Sequence, residues 1–200
     1  VANMANENPV TAEDYLDYPR MRAMMETIEE RKDTGGILFG SFDYDYWTAA
    51  DLRAEGLPPE QQGKTTVYFL NLGMTGMNAP LDVRVVDQMG LAYPLAAHTE
   101  RLKDGRIGHD KNLPYAWVIA ESGGVNGGSG KPGFIKTEDV RNANLALTCQ
   151  ETQDRFASYK DTWSFSRFRH NLRQSVDFNG YRIARQPEYE VLRCGLTPAE

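Results

Sequence analysis

An α+β domain is the fold class this sequence predicts, and three observations carry it. One amphipathic helical stretch stands near the start, "YPRMRAMMETIEERKDTGG". A body rich in strand-like, β-branched and aromatic runs follows it. Strands and helices do not alternate regularly, as they would in a doubly wound sheet. The expected architecture is an N-terminal α-helix packed on an antiparallel β-sheet, with a long loop-rich C-terminal region. Two hundred residues suffice for one sizeable domain, or at a stretch for two small ones. We read 1–200 as a single soluble domain: 1–36 an N-terminal segment and helix, 37–134 the strand-rich body, 135–200 a C-terminal loop and helix extension.

The first helix follows from Pro19 in a first turn and from Met21, Met24, Met25 and Ile28 on one face. Arg31 and Lys32 suit its negative end, and Gly35 can take a left-handed stop. The methionine stripe reads as core rather than as a binding groove. "GILFGSFDYDYW" reads as strand or extended loop, and Thr48 as the cap of a short helix "TAADLRAEG". "LPPEQQGK" is a connector. "TTVYFLNLGM", "LDVRVVDQMG", "LAYPLAAHTERL" and "YAWVIAES" are strand candidates. "TEDVRNANLALTCQETQDRF" is either a helix capped by Thr137 or an irregular loop. "DTWSFSRFRHNLRQSV" places Phe165, Phe168 and Leu172 at helical spacing, and "YRIARQPEYEVLRC" closes as a hairpin or short strands.

The net charge of −6 argues against a nucleic-acid partner. No window reaches about 18 apolar residues, so none spans a bilayer, and the opening "VANMANENPV" carries no signal-peptide pattern and looks like a processed end. Cys149 and Cys194 leave two readings open: buried free thiols, or one bridge closing a loop of about 45 residues in an oxidising compartment.

"AWVIAESGGVNGGSGKPGF" ends a strand-like run in a glycine loop with Lys131. A phosphate-binding loop needs G-x-x-x-x-G-K-[ST] and a helix starting at once. Here Val125 replaces the first glycine and Pro132 the hydroxyl residue. The glycines at 123–133 are therefore expected to let the backbone turn and dock on a sheet. His98, His109 and His170 form no close-spaced ligand pair. Ser122 and Ser129 lie outside G-x-S-x-G. Asp43 and Asp45 share a strand face that is more commonly solvated than catalytic. No catalytic constellation emerges, and no cofactor is expected apart from calcium, for which Asn126, Glu138 and Asp139 supply oxygen donors on an adaptable loop.

Asp87, Gly90 and Tyr93 stand as D-x-x-G-x-x-Y, and Ser122, Gly123, Gly124, Asn126 and Gly127 follow in a Ser-Gly, Asn-Gly loop. Gly90 permits the positive φ of a tight turn, and Asp87 can bond the turn's amides. These segments resemble the globular half of type IV pilins, most closely the pseudopilins of type II secretion systems. "RNANLALTCQETQDRFASYKDTWSFSRF" resembles the tail of some minor pilin-like subunits. Met89 and Ala92 depart from the family's turn motif. The resemblance covers about 80 residues and implies a non-enzymatic, extracytoplasmic filament subunit, minor or tip-type. Its partners would be other filament subunits, and it would meet a membrane only through an upstream helix absent from this sequence. It also implies a Cys149–Cys194 bridge. The alternatives are a small-molecule or nucleotide-handling enzyme built around Lys131, and a capsid or complex subunit whose interface is Phe42 to Trp47.

Overall fold

A computed structural model of the chain describes residue 14 and residues 18–31, 36–40, 47–52, 65–69 and 72–200. The chain divides into two compact units: Val1–Gln88 with Ser122–Phe134, and Met89–Glu121 with Ile135–Glu200. The protein is α+β.

In the first unit, α1 (Pro19–Arg31) buries Met21, Met24 and Ile28. They share one cluster with Leu38, Val67, Phe69 and Met74 from the elements that follow. Each such side chain taken out of water is worth roughly 1.5–3 kcal/mol. The sheet, among the described residues, runs β2-β1-β3-β4, with β1 (Gly36–Gly40), β2 (Trp47–Asp51), β3 (Thr66–Phe69) and β4 (Arg84–Asp87). Ile37, Leu38 and Phe39 form an unbroken buried run, as suits a strand paired on both sides.

The expected antiparallel sheet is corrected to a mixed one. β1 pairs antiparallel with β2 but parallel with β3, and β3 pairs parallel with β4. The reason lies in "TTVYFLNLGM", read as one strand. β3 stops at Phe69, and α2 (Leu72–Asn78) carries the chain back, so β4 must run parallel. The helix expected from Thr48 is likewise corrected: 47–51 is β2, locked to β1 in the register Gly36↔Asp51. Cross-strand pairing there overrides the helical preference of Ala49 and Ala50. The rest of that segment (53–56), the connector 57–64, Gly35, Asp43, Asp45 and the Phe42 to Trp47 side chains lie outside the described residues.

The glycine loop belongs to this unit. Ser129 N–H donates to the Asp51 carbonyl at 2.9 Å, and Asp51 N–H donates to Ser129 at 2.8 Å, a bridge against edge strand β2. Gly128 has φ +78°, and a Cβ there would sit 2.7 Å from the Asp51 oxygen. That approach is closed to other residues.

The second unit is helical, which corrects the loop-rich C-terminal expectation. It contains α3 (Pro94–Ala97), α4 (Tyr115–Glu121), α5 (Thr137–Leu147), α6 (Gln150–Lys160), α7 (Phe165–Gly180) and α8 (Pro187–Arg193). α5 is packed by both α4 and α8; Val140, Ala143 and Ala146 on its buried face are small enough for close approach. "LAYPLAAHTERL" is not a strand: Pro94 opens α3, where its missing N–H costs nothing. Thr99 makes only an isolated bridge with Ile183. "YAWVIAES" is α4, buried from Ala116 to Glu121. A segment covered on all sides has no apolar period, so its sequence reads equally as strand. Residues 137–160 form two helices broken at Thr148 and Cys149. Lys136, not Thr137, holds the N-cap position of the first. α7 is capped by Ser164, which accepts from the Arg167 N–H. The expected closing hairpin is α8 instead, opened by Pro187.

Candidate functional site

The sequence-chosen residues are dispersed. Asp87 ends β4 and is buried. Gly90 has φ +76° and packs against α3, where a Cβ would meet the Ala97 nitrogen at 2.4 Å. Tyr93 immediately precedes α3, its hydroxyl donating to Glu121 Oε2 at 3.0 Å. Gly123 and Gly127 take φ +92° and +106°, Gly124 is buried and Asn126 half-buried. Lys131 has no helix at its back; the next begins at Thr137. Asn126 stands in the loop of the first unit, Glu138 and Asp139 in the first turn of α5 of the second. Burial pushes the Asp139 carboxyl up, with Lys136 opposing, which disfavours the ionised form a calcium ion would need. No group of three metal-ligating side chains occurs among the described residues.

The polar machinery of the second unit lies elsewhere, on residues with no spacing signature. Tyr181 is its hub. Its hydroxyl donates to Glu190 Oε1 and accepts from Arg193, with Thr152 Oγ1 at 3.5 Å. Glu190, 1 % exposed, also accepts from Arg193 and from the Ala184 N–H at 3.1 Å. The guanidinium carbons of Arg155 and Arg193 lie 3.2 and 4.3 Å from the Tyr181 ring centre. Burial, then the bond to Glu190, pushes the Tyr181 phenol up to about 12. A second buried carboxylate, Glu121, accepts from Lys160 Nζ at 2.5 Å as well as from Tyr93. Both carboxylates are thus engaged by internal donors. The signal that could have found them is a carboxylate at a position the apolar pattern assigns to the core.

Two cavities adjoin this machinery. One, lined by Leu95, His98, Thr152, Arg155, Phe156 and Phe178 among others, measures about 50 Å³. Ligand pockets run from roughly 300 Å³, so it holds water or a side chain. Burial holds the His98 imidazole below its usual range, the Tyr181 carbonyl opposing and Arg182, Arg155 and Lys111 adding. That carbonyl is 3.3 Å from Nδ1 and can only accept, so Nδ1 carries the proton of the neutral ring. The other cavity is an open groove of about 490 Å³ lined by Thr148, Gln150, Glu151, Arg193 and Leu196 beside Cys149 and Cys194. Those cysteines form a disulfide with Cα atoms 6.0 Å apart, tying the start of α6 to the end of α8. Arg193 is half-exposed yet anchored by Tyr181 and Glu190, with Glu151 at 3.8 Å. A fixed guanidinium, a carboxylate and an amide in a polar groove offer donors and acceptors to a hydroxyl-rich ligand.

The family model for the AftB family C-terminal domain matches residues 18–191. A terminal β-(1→2)-arabinofuranosyltransferase of Mycobacterium tuberculosis is 45% identical over 195 residues, covering 94% of this chain and 31% of that protein. One of the same name from Corynebacterium glutamicum is 35% identical over 201 residues, covering 96% of this chain and 29% of that protein. The chain spans about a third of the length of these curated relatives. No solved structure matches it. The chain belongs to the AftB family and carries its C-terminal domain. The pilin and pseudopilin resemblance is thereby overturned, and with it the non-enzymatic filament subunit and its filament partners. The short turn motifs that carried it are ones any glycine-punctuated turn can share.

Proposed function

We propose that this domain serves an extracytoplasmic arabinofuranosyltransferase and that its part in the reaction is to hold the acceptor glycan in the groove beside the disulfide. The observation that carries this reading is the match over 18–191, together with the 45% identical relative named for β-(1→2) transfer. The Cys149–Cys194 bridge supports placement in an oxidising compartment.

Transfer breaks the donor's anomeric C1–O bond and joins C1 to the acceptor's 2-hydroxyl oxygen, whose proton passes to a base. Glu121 and Glu190 are occupied by internal partners, so positioning is the role assigned here, through Arg193 as donor and Glu151 as acceptor to glycan hydroxyls. Glu151 is exposed, so replacing it leaves the fold intact. In a full-length transferase carrying this domain, Glu151→Ala raises the acceptor KM at least about tenfold, one lost hydrogen bond to a charged group, with kcat little changed. An unchanged acceptor KM removes the groove from the reading; a full-length protein without arabinofuranosyl transfer removes the reading itself. Calcium is the one cofactor proposed, and a calorimetric titration without heat ends that proposal.

A further inference from the structure

Among the described residues, α7 differs from every other helix of eleven or more residues in burying none of its own. Trp163, Phe165, Phe168, Leu172 and Val176 are 77, 65, 49, 64 and 80 % exposed. Phe165 and Phe168 stack with ring centres 6.4 Å apart. At 3.6 residues per turn the four helical members fall within an arc of about 80°. The opposite side faces the domain: Asn171 Nδ2 donates to the Ser158 carbonyl at 2.8 Å, Phe178 lies 5.1 Å from the Arg155 guanidinium, and Arg167 pairs with Asp161. The stripe therefore points away from the protein. It is not a core face left over from imperfect packing, because the helix already has a packed side.

What borders the stripe decides its occupant. Arg169 and Arg173 follow it on one flank, and neither makes an ion pair among the described residues. With Phe165, Ser166 and His170 they line a cleft of about 390 Å³. A chain of net charge −6 here sets three arginines against one aspartate over Phe165–Gly180. Paired guanidinium forks with a hydroxyl beside them suit a phosphate group. Exposed aromatic and aliphatic side chains next to that cleft suit acyl chains. The two together are the composition of a helix lying in a lipid interface, with the arginine stems bordering the apolar phase and their heads at headgroup level.

We infer that α7 docks this domain on an anionic phospholipid surface, inserting Trp163, Phe165, Phe168, Leu172 and Val176 and pairing Arg169 and Arg173 with lipid phosphates. The inference is independent of the glycan reading, since it uses none of the groove residues. The test is co-sedimentation of the 200-residue chain with vesicles of phosphatidylcholine alone and of phosphatidylcholine containing phosphatidylglycerol, with tryptophan emission followed in parallel. The chain partitions onto the anionic vesicles, less so as salt rises, and its emission shifts to the blue; Trp163→Phe abolishes that shift. Arg169→Glu weakens partitioning at least about fivefold, and the double change with Arg173→Glu at least about 25-fold, from the roughly 1 kcal/mol each basic residue contributes near such a surface. Leu172→Glu abolishes it. These side chains are exposed, so unchanged circular dichroism and melting temperature show that each variant is folded. Equal partitioning of wild type and charge-reversed protein overturns the inference, as does an emission unmoved by vesicles. Concentration-dependent dimerisation lost in Leu172→Glu, without vesicle binding, also overturns it and gives the face to a second copy. Inorganic phosphate matching the vesicles in displacing the protein overturns the lipid source in favour of a free anion.

Discussion

α4 and α7 stand in the same unit and both carry aromatic and aliphatic side chains, yet α4 buries everything from Ala116 to Glu121 and α7 buries nothing. α4 lies beneath α5, with Trp117 fully enclosed and its indole N–H donating to the Arg185 carbonyl at 3.2 Å. α7 touches the unit along one edge only. The difference teaches that an aromatic or aliphatic side chain on a helix is not by itself a sign of burial. A helix with an all-round apolar surface is one the fold has enclosed, whereas a helix with a clean stripe has one face to give, and the stripe says nothing of what receives it.

That contrast can be broken by substitution. Trp117→Ala should cost about 3–5 kcal/mol in denaturant unfolding, because it empties a fully enclosed site and strips the Arg185 carbonyl of its donor. A cost under about 1 kcal/mol would mean α4 is not enclosed as described. Replacing both cysteines by serine should cost about 4 kcal/mol, since the bridge closes a separation of 45 residues. Lys160→Met leaves Glu121 buried with Tyr93 as its remaining side-chain donor among the bonds described. It should cost about 2 kcal/mol, below the usual figure for a broken buried pair because Lys160 is itself half-exposed.

Alkaline pH sharpens the comparison from the polar side. Tyr181 keeps its proton in the folded state up to about 12, above the ordinary value of 10.0. Its contribution is therefore whole below pH 10 and lost as pH rises through that interval. Unfolding followed across the range, with tyrosinate absorbance as the second signal, should show this loss in the wild type and not in Tyr181→Phe. The smallest effect belongs to α7: Leu172→Ser should move stability by no more than about 0.5 kcal/mol in the isolated chain, as for an exposed position. A loss several times larger would show the stripe to be covered.

Local chemistry made part of the fold legible. α1 followed from Pro19 and the methionine spacing, and α7 from its 3.6-residue pattern, because in both an apolar side and a polar side alternate along the chain. β3 and β4 were legible as β-branched runs, although the end of β3 at Phe69 was not. α4 and α8 were misread for opposite reasons. α4 has no polar side to mark a period. α8 is only seven residues long, and Pro187 beside short apolar runs imitates a strand end. At the candidate site the gap was wider. Cys149 and Cys194 could be named, but Tyr181, Glu190, Arg193, Glu121 and Lys160 were invisible. Their partners are up to 39 residues away and share no motif.

By itself the sequence determined the α+β composition, the methionine face of α1 and the apolar stripe of α7. Each of these depends on neighbours within a turn or two of chain, where spacing alone sets geometry. The tertiary structure alone decided that β1, β3 and β4 run parallel, that 115–121 is helix, and that two buried carboxylates each find a cation. Those outcomes depend on which distant segments meet, and on the dielectric and packing that meeting creates, and no local pattern encodes them.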